Sequence, residues 1–185
     1  MVAHFHLQAA ETELQNLAEE YWQKAGEKEH QLETAAYEAG SAIRQGEFTL
    51  ANLETIVRWK SERVVPYLIG NSDESIRMVL SAVTAPETST EAAVQALTSL
   101  RGIDLAIASA VLAAIYPERF AVLDYRALEA LGHARHDASF YAEYNHFIQT
   151  LAEHGATHAQ NGLPGPTPLH AMERALWQWA RNKGN

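Results

Sequence analysis

The chain reads as an all-α protein. Nearly every apolar segment repeats at three- and four-residue spacing rather than alternating, and the breaks between segments are short. No β-hairpin signal or internal repeat interrupts them. A length of 185 residues suits one domain, or two small lobes, with a real core of its own.

The elements follow in order. Leu14, Leu17, Tyr21 and Ala25 form a first stripe, stopped by Gly26. Leu32, Ala35, Ala36, Ala39 and Ile43 form a second, ending at Gly46. Thr49, whose hydroxyl accepts an otherwise orphaned amide, caps a third helix carrying Leu50, Leu53, Ile56 and Val57. Pro66 interrupts next, and residues 64–69 read as a short helix or turn ending at Gly70. Asn71 with Glu74 has capping-box spacing for a helix to Val83, and Thr88 with Glu91 has the Thr-x-x-Glu form for a helix to Leu100. Asp137 caps an aromatic-rich helix over 138–154, and residues 155–168 form the one clear loop. Thr167 and Pro168 then stand as N-cap and first residue of a last helix bearing Leu169, Met172, Leu176 and Trp179.

Composition removes several chemistries. Hydrophobic residues at 47% and charged ones at 20% exclude wholesale disorder. The absence of cysteine removes disulfides, a thiol nucleophile, thiolate-bound zinc and an iron–sulfur cluster, and fits a reducing compartment. The start, Met-Val-Ala-His-Phe-His-Leu-Gln, has neither a basic region nor a long apolar core, and the apolar run 105–116 is too short to span a bilayer. A soluble cytoplasmic protein with no membrane partner is expected. A net charge of −9 argues against a general polyanion binder. The charge is uneven, however: residues 1–54 hold ten acids against three bases, whereas residues 55–185 hold 13 acids and 11 bases.

That nearly neutral part contains Leu97-Thr-Ser-Leu-Arg-Gly-Ile-Asp-Leu-Ala-Ile-Ala-Ser-Ala-Val-Leu112. Apolar spacing through Leu97, Leu100, Ile103, Ile107 and Val111 predicts a helix to about Leu100, a reversal at Gly102, and a second helix from about Asp104. Amides exposed at such a turn, beside a helix N-terminus, make an anion site. Ala106, Ala108, Ser109, Ala110, Ala113 and Ala114 make the second helix slim enough for close packing. Downstream, Tyr116-Pro-Glu-Arg-Phe-Ala-Val-Leu-Asp124 leads to Tyr125 and Arg126, and Asp124 is an N-cap for a helix over 125–131.

These residues resemble the helix-hairpin-helix Gly-Pro-Asp superfamily of DNA glycosylases, whose hairpin reads Leu-Pro-Gly-Val-Gly-x-x-x-Ala-x-x-(apolar)-Leu. Residues 116–124 resemble that family's loop leading to Val-Asp-Thr-His, and aligning the hairpins places Asp124 on its catalytic Asp. The close similarity covers residues 97–131, within a hairpin element over 89–116 and an Asp-bearing loop and helix over 117–132. The resemblance implies an all-α, two-lobed fold with a DNA cleft. It further implies a hairpin at Arg101, Gly102, Ile103 and Asp104 that grips backbone phosphate, in this family often with a monovalent cation bound at the hairpin backbone. A flipped nucleotide would then enter beside Asp124. That carboxylate stabilises oxocarbenium character at the sugar or activates a water. The departures are informative. Asp104 replaces the second hairpin Gly; it can cap the helix but places negative charge beside the expected phosphate. Ala106 stands where bifunctional members carry Lys, which removes Schiff-base lyase chemistry there. Asp-Tyr-Arg replaces Asp-Thr-His, and the cluster cysteines are missing. The implied activity is that of a monofunctional glycosylase acting on a damaged or mismatched base. The alternative is a helix-hairpin-helix module that has lost catalysis and binds nucleic acid or a protein partner.

Arg58-Trp59-Lys60-Ser61-Glu62-Arg63 is the densest basic stretch, and helical spacing sets Trp59 and Arg63 on one face. Arg58, Lys60 and Arg63 are candidate phosphate contacts with Trp59 lining a pocket; the plainer reading is a Trp anchored in the core with solvated basic neighbours. The pairs His133/His136 and His154/His158 lack a third ligand at a zinc spacing, and Gly155 argues against a continuous helix for the latter, so no metal site is expected. His4 and His6 read as a frayed terminus. Phe140, Tyr144 and Phe147 share a stripe that reads as core. Tyr141 lies off it and, like Tyr125 and Arg126, is a candidate pocket residue for an extruded base. Trp177 and Trp179 pin the last helix to the body. No Walker loop, dinucleotide Gly motif or Gly-x-Ser-x-Gly elbow is present.

Overall fold

The computed structural model describes residues 5–133, 138–158 and 162–184, without the side chains of 138, 139 and 156–158. His4, Arg135, His136 and the expected cap Asp137 lie outside the described residues. Every regular element among the described residues is helical. In order these are α1 (Leu14–Lys24), α2 (Glu27–Arg44), α3 (Leu50–Ser61), α4 (Val65–Leu68), α5 (Asp73–Thr84), α6 (Thr90–Thr98), α7 (Leu105–Ile115), α8 (Tyr125–Ala130), α9 (Ala138–His158) and α10 (Pro168–Lys183). Short 3-10 turns lie at Glu11–Glu13 and Glu62–Val64. No helix among the described residues is long and apolar enough to cross a membrane. Two compact units divide the chain: Glu27–Tyr116, and Met1–Gly26 with Pro117–Asn185.

In the unit Glu27–Tyr116, α7 is the central helix. All its residues from Ile107 to Ile115 are buried, and it packs against α2, α3 and α6. The alanine-rich sequence of α7 admits a close neighbour, and that neighbour is α2 at Gly40. A Cβ placed on Gly40 would stand 2.0 Å from the carbonyl oxygen of Ala114, so the two backbones touch.

Capping follows the expected chemistry, with shifted residues at two helices. The Thr49 side chain accepts from Asn52 N. The caps of α5 and α6 are Ser72 and Ser89, not Asn71 and Thr88, and accept from Ser75 N and Ala92 N. Asn71 is engaged with the hairpin instead, and the Thr88 hydroxyl donates to Ala82 O. The basic stretch is also not one continuous helix. α3 ends at Ser61, and Arg63 lies on the following 3-10 turn, so it does not continue the helical face of Trp59.

In the other unit, α10 packs against α1, α8 and α9. The Thr167 side chain accepts from His170 N with Pro168 at the first helical position, as the sequence predicts. α9 runs four residues beyond the expected end, through Gly155 to His158, so glycine does not stop it there. A few tenths to one kcal/mol of glycine penalty is easily outweighed by packing; Gly155 lies against Met172 of α10. The N-terminal residues after His4 are docked rather than frayed. His6 N donates to Leu131 O and Gln8 N to Ala130 O, while the Phe5 ring lies within 5.0–5.5 Å of the rings of His133, Phe140 and Phe147.

The contact at Gly40 makes a direct stability prediction. Gly40→Ala forces α2 and α7 apart and should cost about 3 kcal/mol, beyond the usual gain of Ala over Gly in a helix. At this chain length that lowers Tm by about 6–12 °C. Glu38→Ala, on an exposed position of the same helix, should change stability by less than about 0.5 kcal/mol. Thermal unfolding of the two variants checks the difference.

Candidate functional site

The reversal between α6 and α7 is built from its sequence. α6 closes at Ser99, Gly102 takes φ +82°, and Asp104 caps α7 by accepting from Ile107 N at 2.9 Å. Gly102 meets a second demand besides its φ. A Cβ there would stand 3.0 Å from Leu68 N and 3.1 Å from Val64 O and Tyr67 Cβ, so the α4 turn packs directly on the hairpin. Asn71 clamps the turn from the same side. It accepts from Arg101 N at 2.9 Å and donates to Arg101 O at 3.0 Å and Leu68 O at 2.8 Å.

This clamp leaves particular groups open. Arg101 N is taken by Asn71, and Ile103 N donates to Leu100 O. The amides of Gly102, Asp104, Leu105 and Ala106 donate to no protein acceptor among the described residues. The Ile103 side chain is buried, whereas those of Arg101 and Asp104 are exposed. Arg101 pairs with no carboxylate among the described residues, and Tyr67 and Ile69 beside the turn are 66% and 53% exposed. Tyr67 and Ile69 escaped the sequence reading, although apolar residues between Pro66 and Gly70 in so short an element were the available signal.

The basic stretch is less open. Arg58 lies between Glu54, at 2.6 Å, and Glu62, at 2.8 Å, so its charge is already compensated. Trp59 is half-buried with its ring 5.6 Å from that of Tyr37 on α2. Trp59 thus packs on α2 but is half-buried rather than set in the core, and Arg58 beside it is ion-paired rather than simply solvated. Lys60 is half-buried and Arg63 exposed.

Asp124 belongs to the other unit. It is half-buried, extended (φ −128°, ψ 145°), and caps α8 by accepting from Arg126 N at 3.0 Å. Preceding it, Phe120, Ala121, Val122 and Leu123 are buried although they belong to no helix. Buried backbone outside regular structure needs partners, and α9 supplies them from one face. Tyr141 Oη donates to Ala121 O and Tyr144 Oη to Val122 O, each at 2.9 Å. Asn145 accepts from Ala121 N at 2.8 Å and donates to Arg119 O at 2.7 Å; Gln149 donates to the same carbonyl at 2.8 Å.

Tyr141 is therefore not a pocket residue. It is fully buried and its hydroxyl is spent on Ala121 O. Burial pushes its phenol pKa well up. Burial does the same for Tyr144, helped by the nearby carboxylates of Glu173 and Asp124 and opposed by Arg174. Both phenols thus stay protonated, and remain donors, throughout the ordinary pH range. Tyr125 is 63% exposed, and the Arg126 guanidinium lies 5.5 Å from its ring centroid.

A further carboxylate, Glu173, was not singled out from the sequence. It is completely buried on α10, with Arg174 Nε at 3.4 Å and His170 Nδ1 at 4.0 Å from Oε2. Its position, four after Leu169 and three before Leu176, lies on the apolar stripe itself, which was the available signal. Among the described residues no group of three or more His, Asp or Glu side chains is arranged to hold a metal.

Comparison of the chain with protein-family models, curated proteins and solved structures found no match.

The α9 clamp yields a prediction. Asn145→Ala leaves the Ala121 amide buried without an acceptor, while Gln149 keeps the Arg119 carbonyl paired. The expected loss is about 2 kcal/mol, read by urea unfolding with an unchanged m-value. A loss under about 0.5 kcal/mol would show that the clamp does not hold the segment.

Proposed function

We propose that the protein is a helix-hairpin-helix, DNA-glycosylase-like protein that binds DNA backbone at the α6–α7 turn and carries a carboxylate at Asp124 for monofunctional base excision. One observation carries the reading: among the described residues, the amides of Gly102, Asp104, Leu105 and Ala106 have no protein acceptor, and the exposed Arg101 beside them has no carboxylate partner. Amides converging beside a helix N-terminus hold anionic oxygens, and a nearby arginine adds charge-assisted donors. The residues at this turn and at Asp124 are also those that resemble the glycosylase superfamily.

In this reading the phosphate contacts hold the DNA in register but carry no base specificity. Asp124 supplies negative charge as the glycosidic bond breaks, or takes a proton from the attacking water. Ala106 offers no amine, so the reaction ends at base release. Capping α8 orients the Asp124 side chain through one oxygen, Oδ1.

A second reading, a module that binds without catalysis, is favoured by the same capping bond and by the exposed Asp104 carboxylate at the turn. One experiment separates the two. Base release from a panel of lesion-bearing and mismatched duplexes is measured for wild type and Asp124→Asn. The catalytic reading expects release by wild type and a loss of at least about a hundredfold in the variant, with duplex binding retained. Release undiminished in Asp124→Asn would overturn the role of Asp124. Binding without release on any substrate would select the module.

A further inference from the structure

We infer that Arg126, Trp177 and Arg181, with Tyr125 at their edge, form a contact surface for an unpaired stretch of DNA strand on the unit that carries Asp124. The inference rests on the DNA reading above and assigns that reading a second contact, distinct from the hairpin.

The geometry is a run of alternating cations and rings. The Arg126 guanidinium lies 5.5 Å from the Tyr125 centroid and 5.3 Å from that of Trp177. The Arg181 guanidinium lies 5.3 Å from the same Trp177 ring, and Tyr21 meets that ring edge-on at 5.5 Å. Further along α10, Lys183 Nζ stands 4.3 Å from the Trp179 centroid.

The charge at this surface is uncompensated. Among the described residues neither Arg126 nor Arg181 pairs with a carboxylate, whereas Arg58 pairs with two. The acid on α1 that reaches α10, Glu20, is already taken by Lys24, Asn182 and Gln178. Two guanidiniums share one indole without a carboxylate between them, in a protein whose net charge of −9 offers ample acids for pairing. A phosphate on each guanidinium supplies the missing counter-charge and uses donors that the rings leave open.

The aromatic component selects the kind of anion. Tyr125 is 63% exposed and Trp177 is half-buried, so ring surface is available beside the cations. Phosphates on guanidiniums with bases on rings is the pattern by which single strands are held. An acidic peptide would satisfy the arginines and leave Tyr125 idle. A paired duplex would keep its base faces stacked away from the ring. Tyr125 and Arg126 directly follow Asp124 in the chain, so a strand on this surface passes next to the carboxylate, where base extrusion leaves nucleotides unpaired.

The test uses fluorescence anisotropy on the full chain with three labelled probes: oligothymidylate, an abasic strand of equal length, and a duplex. Wild type should bind oligothymidylate, and Arg126→Gln/Arg181→Gln should weaken that binding at least about tenfold. The slope of log affinity against log salt should flatten by about 1.4, two phosphates at about 0.7 each. Tyr125→Ala should weaken oligothymidylate about tenfold and leave the abasic strand unchanged. Arg181 is exposed, so Arg181→Gln alone gives a reading if Arg126→Gln disturbs folding. Wild type that binds duplex but ignores oligothymidylate overturns this inference and leaves the hairpin reading standing. Binding of oligothymidylate without duplex overturns the hairpin contact instead, and binding of neither ends both. Oligothymidylate affinity unchanged in the arginine variants, or displacement by polyglutamate as effective as by unlabelled strand, overturns the assignment.

Discussion

The unit bearing Asp124 depends on one constraint: a buried, non-helical stretch of backbone must find its hydrogen bonds in side chains. Residues 120–123 are buried outside any helix, so Tyr141, Tyr144 and Asn145 bond the backbone of Ala121 and Val122 from successive turns of α9, while Asn145 and Gln149 hold the carbonyl of the exposed Arg119 that precedes them. Each bond is of ordinary strength, but leaving a buried amide or carbonyl unpaired costs more than the bond contributes. The segment is therefore held in one conformation, and with it the φ and ψ at which Asp124 begins α8. The carboxylate is positioned by α9 as much as by its own helix.

A parallel logic operates in the other unit. There Gly102 is fixed by its positive φ, by close approach to the α4 turn, and by Asn71 bonding both backbone groups of Arg101. The α4 turn and Asn71 act as a splint. They consume the amide of Arg101 and leave those of Gly102 and Asp104 open, which turns a helical corner into a rigid array of donors. Rigidity matters for anion binding because donors already in place lose little entropy when the ligand arrives.

Local chemistry was readable from the sequence, and long-range chemistry was not. Thr49, Asp104, Asp124 and Thr167 act as caps because capping depends on a residue and the amides two or three places on. Ser72 and Ser89 were displaced by one residue because each has a competent capping neighbour, and tertiary contacts decided: Asn71 was drawn to Arg101, thirty residues away. Tyr141 looked available because it stood off the Phe140–Tyr144–Phe147 stripe, yet its partner is a carbonyl twenty residues upstream that no periodicity reveals. The slimness of α7 was legible; that Gly40 answers it was not. Glu173 went unread although it is an acid on an apolar stripe; its neighbours His170 and Arg174 lie one turn before it and next to it.

The central claim is that the hairpin amides receive DNA phosphate. Amide NMR shifts during titration with a short duplex at low salt test it residue by residue. The account predicts that Gly102, Asp104, Leu105 and Ala106 move together and return as salt is raised, while Arg101 and Ile103, already donating to Asn71 and to Leu100 O, move least within the turn. Shifts elsewhere on the chain, with those four amides unmoved at saturation, would contradict it.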